Sequence, residues 1–287
     1  MSLPSGYTRL EYIQSSGTQH IDTDFKPNQN TTIAAEFVVL DASNDGAYLY
    51  GGGTGTARLE AYPWDGKLEF NYGSAHPFVG TVYANKRFYI SQDKTKYTLS
   101  YFDGSGEWTG NHAEQSFSSA YTLAIFALNR GTVAYPTAGM QLYSCQIYDN
   151  GTLVRDFIPC QKPDSAIGLW DDVNSVFYGN SGTGTFTAGP VIQPPGTPSG
   201  LSHALSVRLV WSTVSGAASY NIYRDGAFVG SSNTPTFVDV SAAENQTYVY
   251  AVSAVGQGGE GEPATLTVYT KAGYFEYKPL IESANFQ

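Results

Sequence analysis

The chain has 287 residues, 41% of them hydrophobic, enough for packed cores in two domains or one large one. Its formal net charge is −10, with only 15 Lys and Arg and no basic run, which argues against nucleic acid and anionic membranes as partners. Twenty-two tyrosines in a chain only 14% charged point to pleated sheet with aromatic-rich surfaces, and so toward binding rather than chemistry.

The opening MSLPSGYTRLEY carries neither the charged nor the apolar region of a secretory signal, and no apolar run approaches the roughly 20 residues of a membrane span. Asp22 and Asp24 are the only i, i+2 carboxylate pair upstream of residue 190. Pro27 ends their strand, so the pair reads as a solvated strand end, with a calcium site sharing Asn28 or Asn30 as the sharper alternative. No other cofactor is expected.

Strand-like runs then follow at residues 31 to 40, 47 to 52, 57 to 62, 67 to 72, 87 to 92, 96 to 102 and 121 to 128, without helical spacing sustained over three turns. Gly51, Gly52 and Gly53 lack the Gly-Lys-Ser/Thr of a phosphate loop and read as a strand end and turn. In residues 57 to 70, alternation points Leu59, Ala61, Leu68 and Phe70 inward and Glu60, Tyr62, Lys67 and Glu69 outward, leaving Trp64 at the tip beside Asp65. His76 and Phe78 occupy the next loop, and Trp108 and Asn111 a further one. Sugars stack on aromatics while amides and carboxylates take their hydroxyls, so Tyr62, Trp64, Asp65, His76, Trp108 and Asn111 are the candidate ligand-binding residues. Loop anchoring is the competing role for both indoles, and core packing is expected for Trp170.

Asn150-Gly151 supplies the positive φ angles of a two-residue hairpin turn, which sets Asp149 opposite Thr152 and Cys145 opposite Asp156. That register keeps Cys145 and Cys160 roughly 13 Å apart on one face, as two free thiols. The segment QPPGTPSG at 193 to 200 is a stiff linker between two domains, 1 to 192 and 201 to 270, and residues 271 to 287 form a C-terminal arm. In that arm Tyr274, Phe275 and Tyr277 are candidates for docking on a neighbouring subunit or another protein.

Trp211, Tyr220, Ile222 and Tyr223, the Arg224-Asp225-Gly226 turn, and Tyr248-x-Tyr250-x-Val252-x-Ala254 together resemble a fibronectin type III (Ig-like) domain. The resemblance implies a β-sandwich centred on Trp211, with Tyr248 as the tyrosine-corner residue. At the other end, GYTRLEYIQSSGTQHIDTDFKPN and the long closing segment from Leu142 to Pro190 are similar to concanavalin A-like (laminin G-like) domains of phage tail-associated and gut-bacterial surface proteins. The resemblance implies an all-β jelly-roll sandwich whose opening strand lies near its closing hairpin. It also implies a virion or bacterial-surface setting, with a cell-surface or mucosal glycan as ligand and other virion proteins as partners. Some relatives of this fold are glycoside hydrolases with a Glu-x-Asp-x-x-Glu run on one strand. That run is missing, so the expectation is no enzyme, with a structural virion subunit and a hydrolase with an atypical site as alternatives.

Overall fold

The computed structural model describes residues 3–43, 45–134, 138–204 and 207–270. Every regular element among them is a strand, so none is a helix long and apolar enough to cross a membrane. They fall into two units, residues 3–192 and the described residues from Gln193 onward. Tyr274, Phe275 and Tyr277 lie outside the described residues.

The first unit is a jelly-roll sandwich of two sheets. The main path of the larger sheet runs Glu107–Asn111, Lys96–Tyr101, Arg87–Gln92, Thr31–Val39, Ala138–Asp149, Thr152–Gln161, Ile167–Asp171 and Val176–Tyr178. The smaller sheet runs Val133–Ala134, Leu128–Asn129, Tyr50–Thr54, Ala57–Trp64, Lys67–Tyr72 and Phe78–Thr81. Period-two alternation sorts the side chains: Ile33, Ala35 and Phe37 from one sheet meet Leu59, Ala61, Leu68 and Phe70 from the other in one core. Thr8–Arg9 pairs with Cys160 and Gln161, and Ile13–Ser16 pairs with Ala138–Asp149 and Thr187–Ala188, so the opening segment does lie against the closing strands.

Polar groups also cross the core. The Tyr50 hydroxyl donates to Gln92 Oε1 at 2.9 Å, and Gln92 Nε2 donates to the Asn71 carbonyl at 2.8 Å. Tyr50 and Asn71 belong to the smaller sheet and Gln92 to the larger, so one buried amide ties both sheets together. The Tyr72 hydroxyl makes a second tie, donating to the Thr31 carbonyl at 2.9 Å.

Three local expectations are corrected. The run at 121 to 128 is not one strand, because Phe126 adopts φ 66° and splits it into Ala124–Ile125 and Leu128–Asn129. The Asn150-Gly151 turn has both φ values positive, but a bulge between Ile147 and Tyr148 shifts the register, so Cys145 faces Phe157 rather than Asp156. That one-residue shift turns Cys160 to the opposite face from Cys145. Both thiols are free and buried, and burial pushes Cys160 up to about 12. Finally, Trp170 is half-buried with its ring 5.5 Å from Tyr7, while Val173 and Val176 are exposed.

The second unit is the fibronectin type III sandwich. One sheet holds Ser202–Ala204, Arg208–Val210 and Thr236–Val238; the other holds Ala227–Ser232, Ser219–Arg224, Thr247–Gly256, Gly259–Glu260 and Ala264–Tyr269. Trp211 is buried edge-on to Tyr220 at 5.1 Å in the core, and the Tyr248 hydroxyl accepts from the Ala243 amide at 3.1 Å. Asp225 and Gly226 take φ 51° and 82°, as the expected turn requires.

Replacing Gln92 with Leu orphans the Tyr50 hydroxyl and the Asn71 carbonyl inside the core, and should cost about 2–4 kcal/mol. Urea denaturation measures it, and a loss below about 1 kcal/mol would remove the tie between the sheets as a stabilising element.

Candidate functional site

The outward face of the smaller sheet gathers the candidate residues. Strand Ala57–Trp64 presents Glu60, Tyr62 and Trp64 on this face, because Leu59 and Ala61 are claimed by the core. Strand Lys67–Tyr72 presents Lys67, Glu69 and Asn71. Antiparallel register aligns them: Trp64 pairs with Lys67, Tyr62 with Glu69, and Glu60 with Asn71. Phe78 pairs with Glu69 and Thr81 with Lys67 across the next strand. The Tyr72–Ala75 bridge keeps the register of the Glu69–Phe78 pair, which puts His76 across from Asn71. Three rows result: Trp64–Lys67–Thr81, Tyr62–Glu69–Phe78 and Glu60–Asn71–His76. Trp64 and Phe78 are 49% and 48% exposed, large apolar groups open to a ligand.

Under this aromatic rim lies a buried polar cluster. Asn71 Nδ2 donates toward Glu60 Oε2 at 3.1 Å, Tyr62 Oη at 3.2 Å and Glu69 Oε1 at 3.3 Å. Arg58 stands 3.7 Å and Arg130 3.8 Å from the Glu60 carboxylate. Glu60 and Asn71 have no exposed surface, and Glu60 Oε1, Asn71 Oδ1 and Arg58 Nε are buried without a hydrogen-bond partner. Burial raises the Glu60 pKa above the usual carboxylate range; the two arginines oppose that rise and the Glu69 charge adds to it. Burial, then the neighbouring Glu69 carboxylate, raises the Tyr62 hydroxyl as well. Tyr62 also packs on Tyr48, ring centroids 4.5 Å apart.

The glycine run explains how an outward-facing glutamate is buried. Gly51 pairs with Glu60, and a Cβ there would come within 2.8 Å of Leu128 and 3.1 Å of Tyr48. At Gly52 a Cβ would sit 2.7 Å from the Thr122 carbonyl. The three glycines lie inside strand Tyr50–Thr54 rather than at a strand end and turn, and Gly51, on the face of Glu60, lets neighbouring chain close in beside it. Alternation places Glu60 and Glu69 on the correct face but does not reveal their burial.

Other candidates stand apart from this face. Asp65 is in the turn after Trp64 at φ 49°, its amide donating to Asp45 Oδ1. Trp108 is not on a loop: strand Glu107–Asn111 carries it opposite Leu99, and its indole packs over Gly80 and Gly106 and edge-on to Tyr101 at 6.2 Å. It anchors the sandwich edge, and exposed Asn111 ends the same strand in the larger sheet. Asp22 Oδ2 accepts from Thr122 Oγ1 at 2.8 Å and Oδ1 from the Asp24 amide at 3.0 Å, and Asp24 takes φ 54°. No group of three or more His, Cys, Asp or Glu suited to a metal ion gathers among the described residues.

No family model matches the chain. Among curated proteins it is similar to a poly(3-hydroxybutyrate) depolymerase of Ralstonia pickettii, 35% identical over 96 residues, 33% of this chain and 19% of the relative. Chitinase Chi52 of Paenibacillus xylanexedens is 29% identical over 53% of this chain and 32% of the relative. Chitinase D of Niallia circulans is 32% identical over 47% and 29%. The chain thus spans between a fifth and a third of the length of these relatives. Among solved structures, FN3tt is 26% identical over 29% of this chain and all of its own (TM-score 0.25), and mouse laminin alpha1 domains LG4-5 are 12% identical over 96% of this chain and 70% of theirs (TM-score 0.36). The tripod from the bacteriophage Tuc2009 baseplate is 14% identical over 93% and 81% (TM-score 0.18). At these scores the structural likenesses carry no functional weight.

The expectation of no enzyme is overturned. The curated relatives are all named as enzymes.

Because burial disfavours charged Glu60, the stability it contributes is complete below the unfolded carboxylate range and is lost as pH rises through its raised folded value. Glu60→Gln should flatten part of the fall in melting temperature between about pH 4 and pH 8. Thermal denaturation across that range tests it, and a variant profile parallel to the wild type would contradict the buried placement.

Proposed function

We propose that residues 3 to 192 bind a carbohydrate chain on the outward face of the smaller sheet. The observation that carries this reading is the pairing of Trp64 and Phe78, half-exposed aromatics two strands apart on one face, with a fixed Glu69 carboxylate between their strands. Adjacent strands are about 4.8 Å apart and the two residues stand one row apart, so their backbone positions are roughly 12 Å apart along a diagonal of the sheet. Each can stack on the apolar face of a sugar while Tyr62, Glu69, Lys67 and His76 meet its hydroxyls. Two chitinases and a depolymerase among the relatives support a setting in which the chain is held against a polymer, as part of a larger protein acting on it. A host-surface glycan met by a virion is the other setting, supported by the phage-tail resemblance of the opening and closing segments.

Binding of N-acetylglucosamine and glucose hexamers by isothermal titration tests the reading. Trp64→Ala and Phe78→Ala should each weaken binding about tenfold. Because both side chains are half-exposed, stability should stay within about 0.5 kcal/mol of wild type. Unchanged affinity in both variants would remove this face as the site.

A further inference from the structure

Glu69 is set differently from every other polar group on the face. It stands at the centre of the row Tyr62–Glu69–Phe78, only 9% exposed. Asn71 Nδ2 reaches its Oε1 at 3.3 Å, and Tyr62 stands across from it on the neighbouring strand, so the amide orients the carboxylate. The nearby arginines do not neutralise it, because Arg58 and Arg130 are directed to Glu60. Behind it, Glu60 Oε1 and Asn71 Oδ1 are buried acceptors with no hydrogen-bond partner. Buried unpaired polar atoms cost about 1–3 kcal/mol each and are rare enough in native proteins to require a reason.

Of the cluster's two carboxylates only Glu69 has surface to offer a ligand. A carboxylate only accepts, so whatever rests on it must bring a hydroxyl, an N–H or an ammonium group. A uronic acid or sulfate would instead place like charge against Glu69 in a poorly hydrated site, and like-charge contacts reject partners more strongly than attractive ones select them. The net charge of −10 opposes polyanions at longer range too.

We propose that Glu69 is the specificity-determining acceptor of this face, so that the site takes neutral or amino-sugar chains, which give it a hydroxyl or N–H, and rejects uronic-acid and sulfated chains. This rests on the glycan-binding reading of the same face. Trp64 and Phe78 supply stacking that any pyranose can use, and Glu69 supplies the discrimination.

Titration of the full chain with hexamers of N-acetylglucosamine, glucosamine and galacturonic acid tests it. The wild type should bind the first two at least about tenfold more tightly than the third, the size of one hydrogen bond to a charged group. Glu69→Gln should remove most of that preference, with the melting temperature showing that the variant folds. If it does not fold, Glu69→Asp, which keeps the charge and shortens the reach, should still reject the galacturonic acid hexamer while losing affinity for the other two. Equal wild-type affinity for charged and uncharged hexamers would overturn the role of Glu69 and leave glycan binding standing. No binding of any hexamer would overturn the glycan reading itself.

Discussion

One buried amide holds the two sheets of the larger unit in register. Gln92 receives the Tyr50 hydroxyl and donates to the Asn71 carbonyl, so three polar groups that would each be costly alone satisfy one another inside an otherwise apolar core. The consequence reaches the outward face, because Asn71 is held by its backbone from below while its side chain organises Glu60, Tyr62 and Glu69 above. Strand Lys67–Tyr72 thus has both faces committed, one to packing and one to polar chemistry. A slip of one residue would put Leu68 and Phe70 outside and Glu69 and Asn71 within.

Burial on the outward face is the second constraint. Gly51, paired with Glu60, has no side chain to hold neighbouring chain away, so Leu128 and Tyr48 close in beside it. The carboxylate is then screened from water, its pKa rises, and its nearest cations sit beyond hydrogen-bond range. Such a cluster is weak evidence for stability, since an apolar pair of similar volume would serve as well or better.

Much of the fold was legible from local chemistry. Alternation at 57 to 72 gave the inward and outward sets correctly, Asn150-Gly151 and Asp225-Gly226 gave their turns, and Trp211 and Tyr248 took the positions their motif implies. The failures are tertiary. Phe126 at positive φ defeats a β pattern that is continuous in sequence, and the bulge after Ile147 has no local signature. Trp108 looked like a loop residue because Gly106 and Gly110 flank it, yet those glycines, with Gly80, make room for rings on a strand.

The site was half legible for a related reason. Tyr62, Trp64 and His76 were singled out as candidates by type and position, and register brings them to one face. Glu60 and Glu69 were passed over because paired carboxylates were sought along one strand, where spacing can be read directly. Pairing across two strands depends on register, and the signal for burial lay in a glycine run on a third. Amide chemical-shift mapping with an N-acetylglucosamine hexamer is the most direct check on the account. Shifts concentrated on residues 58 to 81 are the result it predicts, whereas shifts on the outward face of the larger sheet or on residues 201 to 270 would contradict it.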